Sequence, residues 1–300
     1  MPRALTALGL ALTALVSLGC QAAGGADRST YDAPAAASAP AAASAPAAAP
    51  APAAAPAAPA APAATEPPPW LGTRPLPLRP DGFGEVRPTP RALDPREFTL
   101  PDTVRPLPGR GFQARVRRAP AAVLARSTWQ PGCPVAAADL AWVRLSFWGF
   151  DDRRHTGELL VARSVAGDLV SVFRSLYRQR FPMERLRITP LAELDAAPTG
   201  DGNDTGAFVC RPTTGQSSGF SQHAYGLAID LDPFQNPYLK ASPYGDVVLP
   251  ELASTYLDRG DQRPGMVTPA VVAAFARIGW EWGGDWRSLK DYQHFSQNGR

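Results

Sequence analysis

Two segments near the C-terminus concentrate residue types that bind metals and move protons. The first is Ser221-Gln222-His223-Ala224-Tyr225-Gly226-Leu227-Ala228-Ile229-Asp230, and the second ends in Asp291-Tyr292-Gln293-His294-Phe295 after the run Trp280-Glu281-Trp282-Gly283-Gly284-Asp285-Trp286. The chain has 3 histidines, and two of them lie in these segments. Two imidazoles and one carboxylate leaving an open fourth position form the ligand set of a catalytic zinc site, where the ion makes its water acidic and polarises a carbonyl. His223 and Asp230 are seven residues apart. They would share a helix face but fall on opposite faces of an unbroken strand, so Gly226 must turn the chain if both are to reach one ion. Asp291 lies three residues before His294, a spacing that points both side chains into one pocket in a helical turn or tight loop. Taken alone, dispersed His, Asp and His residues fit equally a pair of structural histidines and a capping aspartate.

The elements that would position these residues are legible in part. Trp142 to Phe150 alternates and then fills with aromatics, as in a strand packed on one side, and Glu158 to Ala162 reads as a second strand. Val165, Leu169, Val172, Phe173 and Leu176 recur at helical spacing and predict an amphipathic helix from Ser164 to Arg178. Leu186 to Thr189 reads as a returning strand, and Leu227 to Leu231 as a strand that delivers Asp230. Thr268 caps a predicted helix with Pro269 at its first position, an inner face of Val272, Phe275, Ala276 and Ile278, and a stop at Gly279. The expected fold class is α+β, a small antiparallel sheet with flanking helices.

The N-terminal third has a different composition. Arg3 precedes an apolar run from Ala4 to Leu18, the layout of a secretory signal, and Ser17-Leu18-Gly19-Cys20 resembles a bacterial lipobox with Cys20 as the lipidated residue. Gln21 is compatible with an outer-membrane address. Ala33 to Pro69 is almost wholly alanine and proline, a tether able to reach on the order of 100 Å in a polyproline-like state. The expected organisation is therefore a signal with lipobox at 1–20, a disordered linker at 21–69, a proline-rich extended segment at 70–110, and the folded domain at 111–300. Two cysteines remain after Cys20. In an oxidising compartment Cys133 and Cys210 read as a disulfide, which is favoured over a metal role because neither has a Cys or His partner at ligand spacing. A net charge of +3 without a dense basic run argues against a nucleic-acid partner. All basic residues but Lys240 and Lys290 are arginine, so no arginine marks a site by its type alone. His155, in the charged loop Asp151-Asp152-Arg153-Arg154-His155, reads as solvated surface, and the three tryptophans around Gly283 and Gly284 read as core packing before a substrate groove.

The spacing SxHxxGxAxD followed by WxWGGxW and DxxHF closely resembles the zinc D-alanyl-D-alanine carboxypeptidase family, which includes vancomycin-resistance dipeptidases and carboxypeptidases and phage L-alanyl-D-glutamate endolysins. The resemblance runs from Ser127 to Arg300 and takes in Gly157 to Val161, Phe208 to Arg211 and Asn236 to Tyr238. It implies a fold like that of these peptidases, with His223, Asp230 and His294 as zinc ligands and Asp291 in the place of the general base. It further implies metal-assisted hydrolysis of peptidoglycan stem peptides containing D-amino acids. Arg211 is the candidate grip for a substrate carboxylate or oxyanion, and Ser221 the candidate partner of substrate or of His223, with a surface arginine and a turn-capping serine as the plain alternatives. The protein is then expected to be a periplasmic, monomeric lipoprotein that meets the membrane only through its anchor. Two other classes stay open: a catalytically silent wall-binding lipoprotein, and a zinc-dependent extracellular module.

Overall fold

The computed structural model describes residues 66–216 and 218–299. The signal, Cys20 and almost all of the alanine/proline tether lie outside the described residues. Eleven short strands are described: β1 (Ala114–Arg118), β2 (Leu140–Trp148), β3 (Arg154–Ala162), β4 (Arg185–Leu186), β5 (Asp204–Thr205), β6 (Ala228–Asp230), β7 (Tyr238–Lys240), β8 (Val247–Leu249), β9 (Glu281–Trp282), β10 (Lys290–Asp291) and β11 (His294–Ser296). The α-helices are α1 (Ala121–Ala125), α2 (Ala166–Arg178) and α3 (Pro269–Ala276). The fold is α+β, but in place of one sheet the described residues form three small antiparallel sheets, ordered β1-β2-β3, β10-β7-β8 and β6-β11-β9, and a parallel pair β4-β5.

The largest sheet follows the side-chain pattern of its strands. Val143, Leu145 and Phe147 alternate inward on β2, while β3 is buried along most of its length, and α2 closes over this face with Leu169, Val172, Phe173 and Leu176. Each such side chain contributes about 1.5–3 kcal/mol on burial, which holds α2 on the sheet more firmly than helix propensity could. The helix begins at Ala166 rather than Ser164, and no side chain caps it. α3 starts as read: Pro269 is its first residue and the Thr268 hydroxyl accepts from the Val271 N–H at 3.3 Å. Its inner face differs. Val271, Ala274 and Phe275 are buried, Val272 and Ile278 are partly covered, and Ala276 is exposed, so the apolar stripe is turned from the expected one. Because α3 is apolar nearly all round, its sequence left the packing face to its neighbours. The returning strand at 186–189 shortens to β4.

The proline-rich segment does more than wrap the surface. Leu76, Leu93 and Phe98 join Phe234, Leu252, Tyr256 and Met266 in a second apolar cluster. Arg96, 1% exposed, donates from Nε and Nη2 to Glu184 at 2.7 and 2.9 Å and from Nη1 to the Asp201 carbonyl at 2.8 Å. Its guanidinium lies over Phe234, 4.4 Å from the ring centre. A third cluster around Val123, Leu140 and Phe208 sits beside the Cys133–Cys210 disulfide, so the two cysteines pair as expected. No described helix is long and apolar enough to cross a membrane.

Candidate active site

The sheet β6-β11-β9 joins the two motifs. β11 runs antiparallel to β6 in a register that sets His294 directly opposite Asp230, and cross-strand partners of this kind hold their Cβ atoms about 5 Å apart. The two residues are 64 apart in sequence and become neighbours through three backbone pairs. The strand β6 is itself fixed on its other edge, where Asp230 exchanges hydrogen bonds with Gly206 at 2.9 and 3.0 Å.

His223 arrives from a single 3-10 turn, Gln222–Tyr225. The Ser221 hydroxyl accepts from the His223 N–H at 3.3 Å and caps that turn. The turn is closed by Gly226 in the left-handed region, φ 69°, and a side chain there would place its Cβ 2.4 Å from the Ala162 nitrogen. Sequence reasoning thus identified the residue that turns the chain between His223 and Asp230, and the structure adds that β3 passes too close for anything larger. His223 Nδ1 lies 2.5 Å from the Ala207 carbonyl oxygen. A carbonyl only accepts, so Nδ1 carries the proton and Nε2 presents its lone pair to the cluster.

At the cluster, His223 Nε2 is 3.1 Å from His294 Nδ1 and 3.2 Å from Asp230 Oδ2, and His294 Nδ1 is 3.2 Å from Asp230 Oδ1. A tetrahedral ion with ligands at about 2.0–2.1 Å has ligand-to-ligand edges of about 3.3 Å, so these spacings suit one small dication. The three residues form a group whose ligand atoms all lie within 4.8 Å of one another. Burial alone would raise the Asp230 carboxyl, but the His223 and His294 rings beside it outweigh that and hold the group below its ordinary value.

Asp291 sits on β10, paired with Tyr238 of β7, and a tight turn at Tyr292 and Gln293 leads from it to His294. The turn is held by Trp282, whose indole N–H donates to the Tyr292 carbonyl at 2.8 Å. Gly283 packs beneath it; a Cβ there would come within 2.6 Å of the Asp291 carbonyl and 2.9 Å of its Cβ. This is the physical reason for Gly283, and a Cβ on Gly284 would meet the Trp282 ring 2.3 Å away; sequence reasoning noticed the pair without a cause. Burial pushes the Asp291 carboxyl up to about 7, with His294 opposing and the Asp230 charge adding to the shift. Its Oδ1 is buried with no hydrogen-bond partner among the described residues, an acceptor left for a ligand of the site.

A cavity of about 580 Å³ opens on these groups, lined also by Arg211, Ser221, Tyr238 and Trp286. Arg211 donates to the Pro212 carbonyl and the Thr214 hydroxyl, at 3.1 and 3.0 Å, so its guanidinium is engaged by its own loop at the cavity wall. The tryptophans divide. Trp280 is buried core, Trp282 packs on Phe295, and Trp286 faces the site with its ring 5.4 Å from that of His294. Sequence reasoning missed the Ala207 carbonyl, which as a backbone group leaves no residue signal, and Gln293, hidden at an unmarked position inside DxxHF. His155 is also not solvated surface. It lies half-buried on β3, with Nδ1 3.0 Å from Asp102 and Nε2 3.1 Å from Asp151.

A buried His, Asp and His cluster beside a carboxylate with a raised pKa, where small antiparallel sheets meet, is the kind of centre that single-ion metallohydrolases use. More particularly, residues 214–297 match the family model described as D-alanyl-D-alanine carboxypeptidase, the family that the two motifs resemble. The match covers His223, Asp230, Asp291 and His294, while Cys133, Cys210 and Arg211 fall outside it. No solved structure matches the chain at a significant level.

Proposed function

We propose that the protein is an exported zinc peptidase that hydrolyses stem peptides of peptidoglycan containing D-amino acids. The observation that carries the reading is the β6–β11 register, which brings two motifs of one peptidase family onto a single three-residue cluster with Asp291 at its side. His223, Asp230 and His294 would hold the ion. When bound, zinc supplies Lewis-acid polarisation of the scissile carbonyl and lowers the pKa of water.

The chain's own groups supply the rest. Asp291 accepts a proton from the attacking water at its carboxylate and returns it to the leaving amine, a task suited to a buried carboxyl held near neutrality; a dication nearby would draw that value down and widen the pH range over which it acts as base. The Ala207 carbonyl holds the His223 ring in its ligating tautomer, and Ser221 holds the turn beneath it. Arg211 at the wall would meet a substrate carboxylate or the developing oxyanion by exchanging its loop contacts for charge-assisted ones. Within this reading residues 111–300 are the peptidase domain, 70–110 a strap on it, 21–69 a linker, and 1–20 a signal ending in lipid-modified Cys20.

The test pairs metal analysis with mass spectrometry of muropeptides. Wild type should carry about one zinc per chain and release fragments, His223→Ala should lose the metal, and Asp291→Asn should keep it while cleaving on the order of a hundredfold more slowly or worse. Wild-type cleavage by Asp291→Asn would remove Asp291 from the base role. A zinc-loaded wild type that binds stem peptide without cleaving it would leave the silent wall-binding protein as the reading.

A further inference from the structure

The strand β1 lies along an edge of the largest sheet, whose order β1-β2-β3 leaves one side of it without a partner strand among the described residues. Its sequence, Ala-Arg-Val-Arg-Arg, is mostly cation, and the charge extends beyond it. Residues 103–138 contain Arg105, Arg110, Arg115, Arg117, Arg118 and Arg126 and no aspartate or glutamate. In a chain whose acidic and basic residues nearly balance, 27 to 30, this is a local excess that the net charge of +3 conceals.

Folding keeps the excess together. The register sets Arg115 opposite Arg144 of β2, and Arg144 lies over the Trp142 ring, 5.5 Å from its centre, while donating to the Arg105 carbonyl. The Gln113 amide donates to the Arg110 carbonyl at 2.9 Å, which holds that residue at the start of the strand. Arg174 of α2 adds a cation beside it, 4.9 Å over the Phe112 ring. Arg126 is answered by Glu158, whereas Arg105, Arg110, Arg115, Arg117 and Arg118 are exposed and make no ion pair among the described residues. Charge on an edge strand keeps it from pairing with another sheet, which accounts for β1 but not for Arg105, Arg110 and Arg174 around it. Val116, in the middle of the strand, is 47% exposed, an apolar side chain among arginines.

We propose that this basic edge docks on an anionic phospholipid surface. Guanidinium forks pair with phosphate oxygens two at a time, and an exposed apolar side chain between them favours a partner with an apolar interior over a wholly polar polymer. In the proposed reading Cys20 ties the chain to a bilayer, which keeps a lipid surface within reach; the edge adds a second contact, one that depends on lipid charge. The inference goes beyond the peptidase reading, since docking needs neither the ion nor Asp291.

Vesicle sedimentation of the full chain tests the proposal. Vesicles of phosphatidylcholine would be compared with vesicles in which about 30% of the lipid is phosphatidylglycerol, at about 0.05 and 0.5 M salt. An anchor or apolar leader contributes alike to both lipids and to every variant, so the difference between the lipids reads the edge and not the anchor. Wild type should bind the anionic vesicles on the order of tenfold tighter or more, with the preference lost at the higher salt. Arg115→Gln with Arg117→Gln and Arg118→Gln should lose most of the preference. Arg105→Gln with Arg110→Gln, which leaves β1 untouched should the triple variant not fold, should lose about half of it or more. Arg74→Gln with Arg91→Gln and Arg287→Gln removes as much charge from exposed positions outside this stretch and should keep the preference within about twofold. A wild type indifferent to lipid charge would overturn the proposal, as would equal losses in the two triple variants. Edge variants that bind vesicles as wild type does but no longer sediment with peptidoglycan would also overturn it, making the edge a wall contact.

Discussion

A histidine's surroundings decide what its ring nitrogens are free to do, and two of the three histidines here differ. His223 gives one nitrogen to a carbonyl and keeps the other for the cluster. His155 spends both ring nitrogens on carboxylates, Asp102 and Asp151, with Phe147 against its ring. The Asp102 hydrogen bond chiefly raises its pKa above the ordinary value, against the opposing effect of burial. Because the folded-state pKa exceeds the unfolded one, the stabilisation is fully present below about pH 6.5 and is lost as pH rises through the folded value. His155→Gln should therefore lower Tm relative to wild type more at pH 5.5 than at pH 9. Equal losses at the two pH values, read by thermal unfolding, would show that the imidazolium contributes nothing.

Short elements hold the site, so their turns carry more of the specification than their strands do. The strands β6, β9, β10 and β11 are two or three residues long, and a ladder of that length has too few hydrogen bonds to set its own register. Gly226 and Gly283 fix it by admitting backbone where a side chain would collide. Gly226 and Gly279 separate the two demands on such glycines. Both have positive φ, 69° and 76°, but Gly279 has open space around its Cβ position and Gly226 has Ala162 within 2.4 Å. Gly279→Ala should cost only the left-handed penalty, about 1–2 kcal/mol. Gly226→Ala must also displace β3 or the His223 turn, and should cost more in urea unfolding and weaken zinc retention. Comparable losses for the two variants would mean that β3 yields without strain.

Across the molecule, a buried ion pair is among the contacts that tie the proline-rich segment to the rest of the described residues. Burial raises the Glu184 carboxyl, which Arg96 and the Asn203 amide oppose, so the pair is a costly arrangement whose members depend on each other. Glu184 in turn donates its N–H to Asp232, two residues past Asp230, linking the strap to the end of β6. Arg96→Met should destabilise by about 3–5 kcal/mol because it leaves a buried carboxylate unpaired, and Arg96→Met with Glu184→Leu should recover much of the loss. Chemical unfolding of the two variants reads both values. A single substitution that costs under about 1 kcal/mol would show that the pair adds little to the strap's other contacts.

The motifs, the cysteine pair, the α2 stripe and the α3 cap were legible in the sequence because each depends on residue types at short spacing. So was the need for a turn at Gly226, since seven residues cannot bring two side chains to one ion along a straight strand. The pairing of His294 with Asp230 was not legible, because register across 64 residues is set by which sheets close on one another. The face buried by α3 was undecided for a related reason: a helix apolar on nearly every side carries no stripe to read. The Ala207 carbonyl that orients His223 and the Asp102 carboxylate on His155 both join segments apart in sequence. Local sequence carries the identity of such groups, but only the packing of the whole chain decides which of them meet.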